Sequence, residues 1–232
     1  MEVYWLQQTG ADVPPLDDWL SQAEVSCVRA MRFEKRRADW RLGRWTAKAA
    51  ASVYLRLPRD SGALREIEVR PEPGGAPVLW IGAEPAPVTM SLSHRDGVAV
   101  CAIAPPGVEL GYDLEVAEPK SPAFVADYFT RMERAYIEQA PACQRPRRTA
   151  LLWSAKESTL KALRVGLCMD TREVAVGVAV GVTAALDGDP WRPLRISCQR
   201  RSFEGWWRSA GQFVHTVVAS PWPAVPSRLR TK

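Results

Sequence analysis

Gly111-Tyr112-Asp113-Leu114-Glu115 is the stretch on which the reading of this chain turns. Side chains alternate across a strand, so Leu110, Tyr112 and Leu114 would share an apolar face and Gly111, Asp113 and Glu115 the other. Two carboxylates therefore project together, and Gly111 would leave open space beside them. Side by side they repel. The usual resolution is a hard cation, because Mg²⁺ takes oxygen ligands and keeps water or phosphate in its remaining positions. The simpler alternative, which a pattern this short favours when taken alone, puts Asp113 and Glu115 on the solvated face of an edge strand.

Thr149–Leu163 reads as a helix and adds what the strand lacks. Trp153, Glu157 and Lys161 recur at four-residue spacing and share one of its faces. A surface Glu–Lys pair, contributing about 0.3–0.5 kcal/mol to the helix, is the commoner fate of such spacing. The tryptophan in the same row argues otherwise: a large aromatic seeks burial, so Glu157 and Lys161 would look inward and need a metal or a phosphate as partner.

Working outward, Val98–Ala104 reads as a strand, Pro105–Gly107 as a turn and Val108–Glu115 as the hairpin partner joining the two halves of the chain. Ser91-Leu92-Ser93-His94-Arg95-Asp96-Gly97 precedes it, and His94 with Ser93 could hold a phosphate oxygen, although a lone histidine is more often structural. Glu24–Leu57 has helical periodicity. Leu42, Trp45, Ala49 and Val53 would face a core, and Arg37, Arg41, Arg44 and Lys48 a cationic side open to solvent or to phosphate. A strand at Met1–Leu6, a helix beginning near Leu16, and short strands at Ile67–Val69 and Val78–Ile81 complete the first half. The second half continues with a helical segment at Phe124–Glu138 and β-branched or alternating runs at Val174–Leu186, Leu194–Gln199 and Phe213–Ala219. The expected organisation is α+β: an N-terminal half over 1–106, a C-terminal half over 107–220 carrying the metal site, and a frayed tail over 221–232.

Composition narrows the function. The 232 residues are 47% hydrophobic, enough for one large core or two small ones. No stretch approaches the 18–20 or so apolar residues of a spanning helix, and Met1–Gly10 lacks a basic, apolar export signal, so a cytoplasmic protein with no membrane partner is expected. The 5 cysteines are scattered and only 2 histidines are present, which leaves carboxylates and lysine to carry any chemistry. A formal net charge of +5 favours anionic partners: a nucleotide cofactor, an acidic protein or nucleic acid.

The motifs together resemble the 4′-phosphopantetheinyl transferase superfamily, in its larger, surfactin-synthetase-activating type. The family's Gly-x-Asp-x-Glu strand stands at Gly111–Glu115 and its Trp-x-x-Lys-Glu-x-x-x-Lys helix at Trp153–Lys161. Its Ser-His step is matched by Ser93-His94 and its Phe-x-x-x-Glu step by Phe129–Glu133, in the family's order. The resemblance implies a pseudo-dimer of two similar α+β halves with the active site in the cleft between them, sufficient as a monomer. It implies transfer of the 4′-phosphopantetheine arm of coenzyme A to a serine of an apo acyl or peptidyl carrier protein, releasing 3′,5′-ADP. Asp113, Glu115 and Glu157 would hold Mg²⁺, with Mn²⁺ possible by donor chemistry. Glu157 would also be the base, Lys161 would serve the leaving group, and His94 would bind a phosphate. Arg37, Arg44, Ser93, Asp113 and Lys161 complete the expected coenzyme A contacts. The chain departs from the family at Ala76-Pro77, where a lysine often precedes the proline, and at Asp39, where an arginine is frequent. A Mg²⁺-dependent nuclease is the competing reading, but its usual Glu-x-Lys element lies on a strand. A nucleic-acid binder would not explain convergent carboxylates, so no nucleic-acid partner is expected.

Overall fold

A computed structural model describes residues 1–177 and 190–231. The part of the run Val174–Leu186 from residue 178 on lies outside the described residues. The fold is mixed α+β, and the chain divides into two compact units, one of Glu2–Val108 with the chain from Ser227 on, the other of Met1 and Glu109–Pro226.

The N-terminal unit opens with strand β1 (Tyr4–Thr9), followed by helices α1 (Gln22–Ala30), α2 (Glu34–Leu55) and α3 (Ser61–Arg65). The single helix expected over Glu24–Leu57 is thus broken at Met31–Phe33, and no helix begins near Leu16; α1 starts at Ser21, whose hydroxyl accepts from Glu24 N while the Glu24 carboxylate accepts from Ser21 N. This reciprocal cap fixes the helix start. Strands β2 (Ile67–Pro71), β3 (Pro77–Ile81) and β4 (Glu84–Pro85) form a small sheet, and β5 (Thr89–Arg95) and β6 (Val98–Ala104) join β1 in a second one. β5 turns into β6 through Asp96-Gly97, both at positive φ (50° and 72°), the conformation that two-residue hairpins require. β6 is buried throughout and lies between β1 and β5. The expected pairing of β6 with the following strand therefore does not form: both its edges are taken, and the Asp-Gly turn had already made the hairpin.

The C-terminal unit begins with β7 (Glu109–Val116), then α4 (Pro122–Tyr128), α5 (Arg131–Glu138) and α6 (Arg145–Ala162). Phe129-Thr130 divides α4 from α5, because Thr130 caps α5 in the same reciprocal way with Glu133. Strands β8 (Val174–Gly177), β9 (Arg192–Cys198), β10 (Arg201–Ala210) and β11 (Phe213–Ser220) follow, and the sheet runs β7-β11-β10-β9-β8. β10, absent from the sequence reading, hides its inward positions Phe203, Gly205, Trp207 and Ser209, while Ser202, Glu204, Trp206, Arg208 and Ala210 between and beside them are less buried. In the C-terminal stretch, β12 (Ser227–Arg228) pairs parallel with β1, Ser227 N donating to Val3 O at 2.9 Å. Among the described residues no helix is long and apolar enough to cross a membrane.

Each unit contains a fully buried lysine. In the N-terminal unit, Lys48 of α2 lies 2.5 Å from Glu24 and donates to the Trp19 and Leu64 carbonyls at 3.0 and 2.9 Å. In the C-terminal unit, Lys156 of α6 lies 2.9 Å from Glu133 and donates to the Thr171 carbonyl at 2.8 Å and to that of Val174. The second oxygen of each carboxylate accepts from a strand amide, Val69 N at 3.4 Å and Val176 N at 2.9 Å. A buried ammonium costs several kcal/mol unless a counter-charge and hydrogen bonds offset it, and both networks supply these. Burial lowers the proton affinity of both lysines while the paired glutamates raise it. Lys48, expected on a cationic surface, is thus a core residue.

Candidate active site

The carboxylates of β7 meet α6 because both elements use small residues where they touch. A Cβ on Gly111 would lie 1.7 Å from the Ser158 carbonyl oxygen, so the space expected beside the carboxylates is filled by helix backbone, and glycine is what admits it. Ser154 Oγ and Ser158 Oγ each lie 2.8 Å from Thr216 Oγ1, and Thr216 is the ladder partner of Asp113. With α6 so close, Glu157 and Lys161 come against Asp113 and Glu115. Although β7 is the outer strand of the described sheet, Asp113 is 3% and Glu115 9% exposed. The solvated edge-strand alternative fails.

Lys161 Nζ donates to Asp113 Oδ1 at 2.7 Å and to the Tyr112 carbonyl at 3.2 Å. Glu157 is half-buried. Burial first, then the charges of Asp113 and Glu115, push its carboxyl up to about 7, with Lys161 acting in the opposite direction. A carboxyl of that affinity exchanges its proton near neutral pH, as a general base must. Trp153, one turn earlier on the same face, packs edge-on against Phe124 and Tyr128 with ring centroids at 5.0 and 5.1 Å. Lys156, immediately before Glu157, is anchored on Glu133, which with the packed tryptophan fixes the rotation of α6 and hence the direction of Glu157.

Three carboxylates without sulfur or imidazole make a donor set suited to Mg²⁺ or Mn²⁺, and the mutual repulsion that raises Glu157 is what a hard cation relieves. By donor chemistry the residues fit such an ion. Among the described residues no group of three or more His, Cys, Asp or Glu side chains is already arranged to hold one, and Asp113 Oδ1 is occupied by Lys161.

In the N-terminal unit, α2 and β5 line a cavity of about 600 Å³ with Lys35, Arg36, Trp40, Arg44, Leu92 and His94 among its walls. It brings His94 and Arg44 together. Ser93 points to the opposite face of β5 and is buried, and Arg37 lies outside the lining with its guanidinium on Glu34. Sequence reasoning missed Trp40, whose ring carries the Arg44 guanidinium at 4.4 Å, and the buried roles of Glu24 and Lys48. A signal existed: Ser21-x-x-Glu24 is a capping box, and Ala47-Lys48-Ala49-Ala50-Ala51 sets a lysine in a run of alanines. A second cavity, of about 540 Å³ and lined in part by Arg195, Glu204 and Trp222, holds none of the expected site residues.

The arrangement defines a carboxylate- and lysine-based site on an α+β frame. Residues 109–218, which contain β7 and α6, match the family model described as the 4′-phosphopantetheinyl transferase superfamily. No curated protein matches the chain. Among solved structures, a holo-(acyl-carrier-protein) synthase from Bacillus anthracis in complex with CoA (3′,5′-ADP) is similar at 22% identity and a TM-score of 0.37, over 44% of this chain and 92% of that one. Helicobacter pylori holo-[acyl-carrier-protein] synthase in complex with coenzyme A is similar at 16% identity and a TM-score of 0.35, over 44% of this chain and 98% of that one.

Proposed function

We propose that this chain transfers the 4′-phosphopantetheine arm of coenzyme A to a serine of an apo acyl or peptidyl carrier protein. The observation that carries the reading is the half-buried Glu157, held against Asp113 and Glu115 with its proton affinity near neutrality, inside the segment that matches the superfamily. Asp113, Glu115 and Glu157 would hold Mg²⁺. When bound, the ion would neutralise pyrophosphate charge. Glu157, directly or through water, takes the proton of the carrier serine, whose oxygen attacks the phosphorus bearing the pantetheine arm. The bond from that phosphorus to the 3′,5′-ADP oxygen breaks, and Lys161 neutralises or protonates the leaving phosphate.

Arg44 and His94 supply phosphate contacts in the N-terminal unit, and Arg37 adds charge from outside the cavity lining. The larger, surfactin-synthetase-activating type, a pseudo-dimer working as a monomer, is supported by the occurrence of the buried lysine–glutamate network in both units. The test is intact mass spectrometry of a panel of apo carrier proteins after incubation with the chain, coenzyme A and Mg²⁺. A gain of one phosphopantetheine, abolished by EDTA and by Glu157→Gln, is the expected result. A folded chain that neither modifies any carrier nor binds coenzyme A overturns the reading.

A further inference from the structure

Glu24 belongs to none of the motifs read from the sequence and lies outside the residues lining the N-terminal cavity, yet it reaches that cavity through Arg44. It is 5% exposed. One of its oxygens lies 2.5 Å from Lys48 Nζ, and the other accepts from Val69 N at 3.4 Å and stands 4.0 Å from Arg44 Nε. Arg44 Nε is buried with no hydrogen-bond partner among the described residues, and the guanidinium lies over the Trp40 ring at 4.4 Å. A guanidinium with a carboxylate near one edge and an indole on its face has little freedom to rotate, which leaves the terminal nitrogens for a ligand.

Charge balance points the same way. Lys48 neutralises Glu24, so the positive charge of Arg44 is not consumed by the carboxylate beside it and remains for an anion. The C-terminal network shows that the arginine is an addition to the buried pair rather than part of it: four residues before Lys156 stands Leu152, fully buried, where Arg44 stands four before Lys48.

We propose that Glu24 is a positioning residue that holds Arg44 oriented for a terminal phosphomonoester, and so makes the cavity prefer coenzyme A over its analogue lacking the 3′-phosphate. The proposal rests on the coenzyme A reading of the chain. It is tested by calorimetric titration of the full chain with coenzyme A and with 3′-dephospho-coenzyme A, using Glu24→Asp, Arg44→Ala and the double variant. Glu24→Asp keeps the charge that Lys48 needs but withdraws it from Arg44. Coenzyme A binding should weaken roughly 5–10-fold while dephospho-coenzyme A binding changes less than about twofold. KM for coenzyme A should rise by more than kcat falls, and the double variant should bind no more weakly than Arg44→Ala. If thermal melting shows Glu24→Asp unfolded, Glu24→Gln with Lys48→Met, which removes both buried charges together, takes its place in the same cycle. Unchanged discrimination in a folded variant, or losses from Glu24 and Arg44 that add, overturns this inference alone. Wild-type chain that binds neither compound overturns it together with the coenzyme A reading.

Discussion

The two buried lysine networks differ chiefly in what stands beside them. Both place a lysine of a long helix against the capping-box glutamate of the preceding helix and two backbone carbonyls, while the second oxygen of that glutamate accepts from a strand amide. Next to Lys156 is Glu157, facing the carboxylates of β7; next to Lys48 is Ala49, in the core. Four residues before Lys48 is Arg44, at the cavity; four before Lys156 is Leu152. The same anchor thus fixes a helix in each unit. One helix presents an acidic, proton-exchanging site and the other a cationic cavity, and the specialisation lies in single residues at fixed offsets from the anchor.

Gly111→Ala should break the acidic side outright. The added Cβ would overlap a helix carbonyl that cannot swing away as a side chain could, so a loss of at least about 5 kcal/mol, seen as failure to give a cooperative thermal transition, is expected. Normal melting would mean that α6 does not depend on that close approach. Glu133→Gln and Glu24→Gln should each cost about 3–5 kcal/mol in urea denaturation, because each leaves a buried ammonium without its counter-charge. Pairing either with a Lys→Met change in the same network should recover most of the loss. A cost confined to one of the two would show that the networks are not equivalent anchors.

Glu157→Gln should lower the transfer rate roughly 10²–10⁴-fold, the usual worth of a general base, with the thermal midpoint unchanged or raised. The pH dependence sharpens the point. Glu157 has its folded-state affinity raised from 4.5 to about 7, so between these values the folded chain binds more protons than the unfolded one. Stability from this group is therefore present below about pH 4.5 and is lost as pH rises through about 7. Metal-free wild type should lose thermal midpoint across that window relative to Glu157→Gln, and Mg²⁺ should restore it. The smallest expected shift is in the pH–rate profile of Lys161→Met, whose residual activity, reduced by loss of the cation at the leaving phosphate, lacks the charge that holds Glu157 down. The acidic limb of the pH–rate profile, on which Glu157 loses its proton, should move to higher pH, and a move to lower pH would mean that Lys161 does not act on Glu157 through its charge.

Much of the acidic site was legible because its spacing is local. Asp113 and Glu115 share a strand face whatever that strand pairs with, and Trp153, Glu157 and Lys161 share a helix face by periodicity alone. The partner of β7 was not legible. β6 and β7 read as a hairpin across a Pro-Pro-Gly turn, but a strand has two edges, and which neighbours occupy them is decided by the Asp96-Gly97 turn and by β1. The cationic side of α2 was misread for a related reason. Periodicity groups Arg37, Arg41, Arg44 and Lys48, yet Arg41 pairs with Asp17 at 2.8 Å and Lys48 with Glu24, residues brought in by other elements. The role of Gly111 was invisible as well, since the atom it makes room for lies 47 residues further along the chain.

By itself the sequence determined the α+β class, the identity of the acidic and basic residues, and the face of each element on which they stand, because alternation in a strand and the four-residue step of a helix are properties of the local backbone. Only the tertiary structure decided that Asp113 and Glu115 are buried rather than solvated, that Glu157 holds its proton near neutrality, and that two of the chain's lysines are core residues. Burial and the approach of a second charge depend on elements distant in sequence, and no local pattern encodes the distance at which they meet.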